Sequence, residues 1–300
     1  MSYQVQQVFS FKCDLGEGLV WDGNSERMLM TDIMKGKLIE IDIESSSHRC
    51  WQFNEPLAWV LPTTLNGQYL LGLKSGVGLW DICKPDNVSW INQDFPGESH
   101  CRLNDACVDT SGNIWYGSMN NLNPSSRDGR LASFSPKDGL RIHDDGFAVT
   151  NGPVISPDGK YLFFNDTLQG IVYRYSFSAD LGKLSDRQLF AKFGADQGYP
   201  DGMCVDVEGN LWIALWGGAS VVQLDANGKL LRKISIPAQN VTNLCFCGPG
   251  LDRLLVSTAS IGLSEEESQC YPASGGLFEI SNHYSTGVAP YPATLEPLWT

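Results

Sequence analysis

Long apolar runs are missing from this 300-residue chain. None approaches the roughly 18 residues that span a bilayer, so no membrane contact is expected. The opening Met1-Ser-Tyr-Gln-Val-Gln-Gln has neither the basic start nor the apolar centre of a secretory leader, and a cytoplasmic protein is expected. Positive charge is scarce: 21 Lys and Arg against 34 Asp and Glu leave a net charge of −13. That balance disfavours nucleic acid, whose phosphates need a basic face. The four histidines, His48, His100, His143 and His283, are scattered, so no His-rich zinc site is expected. Nine cysteines are an odd number without a Cys-x-x-Cys pair, and Cys204, Cys245 and Cys247 lie inside apolar runs. They read as buried thiols of a reducing compartment. Gly-x-Ser-x-Gly is absent, which argues against a serine esterase. No segment sustains a 3.6-residue apolar period, so almost no helix is expected.

What the chain does have is a repeat. Asn104 to Met119, Asn151 to Asp166 and Asp201 to Gly218 share one frame: a polar head, an apolar run, a turn with Gly eight positions after the head, and a second apolar run. The stretch from Trp59 follows the same frame, that from Glu17 carries Ser25 in the glycine slot, and that from Asn243 fits within about one residue. The heads Glu17, Trp59, Asn104, Asn151, Asp201 and Asn243 are separated by 42, 45, 47, 50 and 42 residues. Each unit continues into an alternating strand, such as Lys37 to Asp42 or Ile171 to Tyr175, and usually a weaker fourth strand. Repeats of this length with four short strands predict an all-β, six-bladed β-propeller of four-stranded antiparallel blades, with residues 1–300 as one domain. The last unit lacks a clear fourth strand, which the run Val5 to Phe11 can supply.

The first strand of a propeller blade lines the central channel, so the heads should form a ring at one mouth. Apart from Trp59 they are all oxygen donors. Asn151-Gly152 and Asp201-Gly202 can also be read as local turns, and a polar channel can simply hold water. The shared frame favours a ring. Carboxylates and amide oxygens on rigid strands suit a hard divalent cation.

The set Leu15 to Trp21, Arg102-Leu-Asn-Asp105, Gly117-Ser-Met119, Asn151-Gly152, Pro200 to Cys204 with Asn210-Leu-Trp212, and Gly275 to Phe278 resembles the regucalcin–gluconolactonase (senescence marker protein) family of sugar lactonases. The resemblance runs essentially the whole chain. It implies a divalent metal held by Glu17, Asn151 and Asp201, with Asp201 also the catalytic base. It further implies substrate contacts from Arg102 and Asn104. Regucalcin-like members carry a Glu after the Gly-Ser/Thr-Met; this chain reads Asn120-Asn-Leu-Asn123, and Asn121 is the amide candidate for that contact. The expected cofactor is one divalent cation, Ca²⁺ or Zn²⁺, with Mg²⁺, Mn²⁺ and Fe²⁺ also compatible with oxygen donors. The expected partner is a small sugar lactone, and the expected assembly a monomer or weak dimer. Trp59 is either a stacking wall for a sugar ring or a packing aromatic, Arg102 either a substrate contact or a surface ion pair. Residues 120–130 are a candidate rim or lid. Two other functions stay open: a calcium-dependent propeller esterase or phosphotriesterase, whose channel rim would be more apolar, and a non-enzymatic calcium-binding or scaffold propeller.

Overall fold

Each repeat folds into one blade. The computed structural model describes residues 3–95, 98–180 and 182–295; the first two residues of the leader reading, and the extreme ends of the 1–300 domain reading, lie outside them. The strands form six four-stranded antiparallel sheets. Five are built from four consecutive strands, with innermost strands Gly16–Asp22, Leu57–Pro62, Cys101–Val108, Thr150–Ile155 and Tyr199–Val205. The sixth runs Asn240–Cys247, Arg253–Ala259 and Leu277–Ser281, and takes the N-terminal strand Gln4–Phe9 as its outer member. Val5 pairs with Ile280 and Gln7 with Phe278, which closes the ring as the missing fourth strand requires. The protein is a six-bladed β-propeller. Among the described residues, helix is confined to Glu265–Cys270 and the 3-10 turn Thr167–Gln169, and no helix is long and apolar enough to cross a membrane.

The strand sequences follow their radial position. Gly16–Asp22 is buried along its whole length, whereas the outer strand Ser47–Gln52 of the same blade is exposed except at Trp51. Inner strands are covered on both faces by neighbouring blades and read as near-continuous apolar runs. The core therefore lies between blades. One cluster joins Trp212 and Val221 of the fifth blade to Leu244, Phe246 and Phe278 of the sixth. Another joins Cys245 and Leu255 of the sixth to Met28 and Ile39 of the first. All nine cysteines are free thiols, and Cys50, Cys83 and Cys270 are exposed rather than buried.

Two repeats show how the turn is fixed. Asp109 accepts the backbone N–H of Ser111 and Asn113 through Oδ1, and the Trp115 indole N–H through Oδ2 at 2.8 Å. Asp206 does the same for Glu208, Asn210 and Trp212. The carboxylate closes the turn and anchors the next strand's tryptophan at once.

Every innermost strand breaks register at its head. The shifts fall between Glu17 and Val20, Leu57 and Trp59, Leu103 and Ala106, Asn151 and Val154, Pro200 and Met203, and Val241 and Asn243. These are β-bulges, which re-aim a side chain and leave backbone groups unpaired. Asn151-Gly152 is thus a bulge and not a chain-reversing turn. Gly152 has φ +50°, and a Cβ there would meet the Met203 side chain at 2.7 Å. Gly18, at φ +59°, would meet the carbonyl oxygen of Ala58 at 3.1 Å. Both positions need glycine for conformation and for space.

The closing strand should carry measurable stability. Deleting residues 1–9 exposes the edge of Leu277–Ser281 and removes Val5, Val8 and Phe9 from the clusters they pack against. A loss of at least about 3 kcal/mol, or roughly 6 °C in Tm, is expected by circular dichroism. An unchanged Tm would show that ring closure contributes nothing.

Candidate active site

The bulges gather polar side chains in the channel. Glu17, Arg102, Asn104, Asn121, Asn151 and Asp201 all line one cavity of about 360 Å³, within the about 300–1,000 Å³ of small-molecule sites. Five of them are buried to 7 % exposure or less. They come from the first, third, fourth and fifth blades, and Thr167 joins them from the 3-10 turn.

A hydrogen-bond chain orients this floor. The Arg102 Nε–H donates to Asn121 Oδ1 at 3.0 Å, and Nη1 donates to the Leu103 carbonyl at 2.9 Å and to Asn104 Oδ1. Asn104 Nδ2 then donates to Asn151 Oδ1 at 2.7 Å, and Asn151 Nδ2 to Thr167 Oγ1 at 3.0 Å. Arg102 is therefore no surface ion pair: its guanidinium is buried and held by amide and carbonyl oxygens. With both amide nitrogens engaged as donors, Asn104 and Asn151 have fixed orientations.

The carboxylates are less satisfied. Glu17 Oε2 accepts the Gly18 N–H at 3.3 Å and Asn243 Nδ2 at 3.1 Å. Asp201 Oδ1 is buried with no hydrogen-bond partner. Burial pushes the Glu17 carboxyl up to about 8, with the nearby Asp105 charge adding to it. Burial raises Asp201 well above the usual carboxylate range, and the fields of Glu17 and Asp105 raise it further. Desolvation lowers Arg102 to about 10, against the attraction of Glu17 and Asp201. One guanidinium does not compensate these acids. A stranded carboxylate oxygen, an acidic field and oxygen-only donors fit a hard divalent cation.

Asp105 was missed as a site residue, although it ends the Arg102-Leu-Asn-Asp motif. It is buried, its Oδ1 accepts Ala106 N–H at 2.8 Å, and its Oδ2 accepts Gly152 N–H at 2.9 Å across blades. Burial raises its carboxyl to about 6. Each oxygen holds one bulge N–H, so Asp105 braces the Asn151-Gly152 bulge and adds negative charge to the channel. Only its sequence adjacency to a head could have signalled this.

Two other heads lie elsewhere. Trp59 is 1 % exposed, sits over Gly72 in a core cluster, and is a packing aromatic, not a sugar wall. Trp59 and Asn243 line a separate cavity of about 130 Å³ farther along the channel, where Pro290 and Tyr291 of the C-terminal segment also lie. Asn243 reaches the site through its hydrogen bond to Glu17 and its packing against Gly202. The aromatic in the main cavity is Trp216, among apolar residues Leu15, Met34, Met119, Leu168 and Ile261. Residues 120–130 form a rim: Asn121 and Pro124 line the cavity, and Asn120 Oδ1 accepts the N–H groups of Leu122 and Asn123.

Regucalcin from Gallus gallus is 30% identical over 298 residues, covering 97% of this chain and 98% of its own. Pentonolactonase XacC from Haloferax volcanii is 32% identical over 285 residues, covering 92% and 94%. A solved structure of a calcium-binding protein, regucalcin, from Agrobacterium tumefaciens superposes with a TM-score of 0.91 at 22% identity over 98% of each chain. The family model described as SMP-30/Gluconolactonase/LRE-like region matches residues 15–260. With most of its length under that match, the chain belongs to the SMP-30/gluconolactonase/LRE-like family.

Proposed function

We propose that the protein, acting as one propeller domain over residues 1–300, hydrolyses sugar lactones to the corresponding aldonic acids with the help of a divalent cation. The observation that carries the reading is the unpartnered, buried Asp201 oxygen facing the same cavity as Glu17, Asn151 and the Arg102–Asn104–Asn121 chain. Family membership supports sugar-lactone hydrolysis in general, and the pentonolactonase relative supports it specifically. Calcium is the first ion to try, given the calcium-binding structural neighbour; zinc is the second.

Glu17, Asn151 and Asp201 would hold the cation. The chemistry such an ion supplies when bound is Lewis-acid polarisation of a carbonyl and a lower pKa for water. Arg102 and Asn121 orient the lactone through its hydroxyl or carbonyl oxygens, and Asn104 fixes the angle of both Arg102 and Asn151. Asp201 takes the proton from water as its oxygen adds to the carbonyl carbon. The ring C–O bond then breaks, Asp201 returns its proton to the freed alkoxide, and the carboxylic acid product leaves and loses its proton to solvent. Sugar lactones are already activated esters, so a base contribution of about 10²–10⁴-fold is sufficient.

A second reading has its own observation. Leu15, Met34, Met119, Leu168, Trp216 and Ile261 give the cavity an apolar half. That half suits an ester or lactone with an apolar substituent, and it keeps a calcium-dependent esterase in play. A panel of aldonolactones, alkyl-substituted lactones and aryl esters separates the two. Aldonolactone turnover abolished by chelator supports the first reading. Aryl-ester turnover without lactone turnover overturns it.

Asp201→Asn keeps an oxygen donor and removes the base. We expect a loss on the order of 10²-fold or more in kcat that saturating metal does not restore. Full rescue by metal would reduce Asp201 to a ligand. Arg102→Ala should cut kcat/KM for lactones while metal affinity stays nearly constant, and loss of the metal would reassign the residue.

The raised acids also predict a pH-dependent metal response. Glu17 has an ordinary value of 4.5 and a folded value of about 8. Between them the folded chain retains a proton that the unfolded chain has lost, so this group's contribution to stability falls as pH rises through that window. A cation reverses the penalty where the carboxyls are ionised. Its Tm increase should therefore be larger at about pH 8 than at about pH 5. An equal increase at both would count against Glu17 as a ligand.

A further inference from the structure

A second cluster of donors lies outside the channel. His100 immediately precedes and Cys101 opens the innermost strand of the third blade, and Asp128 ends the rim loop that follows Asn120. One ligand atom from each falls within 4.8 Å of the others. His100 Nε2 is 3.2 Å from Asp128 Oδ2. Cys101 is 3 % exposed, while the His100 and Asp128 side chains are about one-third exposed, at 36 % and 40 %. His100 and Asp128 line a cavity of about 550 Å³ with Glu98, Arg127, Arg130, Asp145 and Gly146, so solvent and ions reach their side chains, while the buried Cys101 is not part of that lining. Arg127 pairs with Asp166 at 3.5 Å, and Arg130 lies on the same cavity; burial raises the Cys101 thiol and the Arg130 charge works against that rise.

We infer that His100, Cys101 and Asp128 form a second, independent metal site for a zinc-class cation, with Glu98 or water completing the coordination. An imidazole nitrogen, a thiolate sulfur and a carboxylate oxygen are a borderline-soft set that selects Zn²⁺ or Co²⁺ over Ca²⁺. Tetrahedral donors with Zn–N, Zn–O and Zn–S bonds of about 2.0–2.3 Å stand about 3.3–3.7 Å apart. From a separation of 4.8 Å at most, the cluster must contract by no more than about 1.5 Å to reach that spacing, within the range of side-chain torsions. Binding exchanges the thiol proton for the cation.

The position gives the site a consequence. The backbone carbonyl of His100 accepts the Asn121 N–H at 2.8 Å, and Arg102 follows Cys101 directly. Asp128 Oδ2 in turn accepts Asn120 Nδ2 at 2.7 Å and Ser126 Oγ at 2.8 Å. A metal here ties the strand that carries Arg102 to the loop that carries Asn121 and Pro124, and so fixes one wall of the main cavity.

Cobalt distinguishes this site from the channel, because only a thiolate ligand produces near-ultraviolet thiolate-to-cobalt absorption. One equivalent of Co²⁺ added to reduced, chelator-treated protein should produce that band in the parent and in Asp201→Asn. It should be lost in Cys101→Ser. In His100→Ala and Asp128→Asn, both altered at exposed groups, Co²⁺ affinity should drop beyond the about 10–100-fold that loss of an outer partner costs. Zn²⁺ should abolish the band and Ca²⁺ should not. Loading should also slow amide exchange over residues 121–128. No band in the parent, survival of the band in Cys101→Ser through the exposed Cys50, Cys83 or Cys270, or displacement by equimolar Ca²⁺ would overturn the site. Unchanged exchange would overturn its link to the cavity wall.

Discussion

The break in backbone pairing at the head of each innermost strand is the constraint on which the site depends. A bulge inside a propeller channel leaves N–H groups away from water, and each costs about 1–3 kcal/mol if unmet. The chain meets them with its own polar side chains. Asp105 takes Ala106 and Gly152, Glu17 takes Gly18, and Asn243 takes Leu244. The residues that repair the backbone are thus the ones that give the channel its acidity. Blades are coupled in the same way, since Asp105 of the third blade holds the bulge of the fourth and Asn243 of the sixth holds Glu17 of the first.

This arrangement is poor for stability in the absence of a cation. Burying ionised carboxylates costs several kcal/mol each unless a counter-charge is close, and the buried Arg102 is the cation whose field reaches Glu17 and Asp201. The interblade clusters supply the compensating stability. Inner strands such as Asn240–Cys247 are buried end to end, and Trp115, Trp212, Phe164 and Phe278 fill the spaces between sheets. A rigid ring of this kind holds donors at fixed spacing without help from a ligand, which is what preorganised electrostatic catalysis demands.

The channel's two ends differ for a reason that lies outside the repeat. The segment after the last strand makes single bridges at Thr63 with Ala293 and at Asp206 with Gly287. Pro290 and Tyr291 then line the smaller cavity. The larger cavity lies with Glu17, Asp201 and the loop bearing Asn121, so polar chemistry is concentrated there.

Much of this was legible in one dimension. The spacing of Glu17, Asn104, Asn151 and Asp201 sets blade number, because each unit can bury its apolar strands only against the next. Alternation and turn residues set four strands per blade, and the unfinished last unit called for the N-terminal strand. The heads Glu17, Asn104, Asn151 and Asp201 were legible because equivalent positions in a repeat converge on the axis, whereas Arg102 and Asn121 entered only through the family resemblance. Four things needed the folded chain. Trp59 shares the repeat position but packs over Gly72, since side-chain direction at a bulge depends on which residues stay paired. Asp105 looks like any acid beside a head until Gly152, 47 residues away, is brought to its oxygen. The exposure of Cys50, Cys83 and Cys270 depends on where outer strands, turns and the short helix meet solvent. The meeting of His100 and Cys101 with Asp128 depends on how the rim loop turns back across the blade. Period and composition determine local structure and its repetition; contacts between distant residues are decided only when the sheets pack.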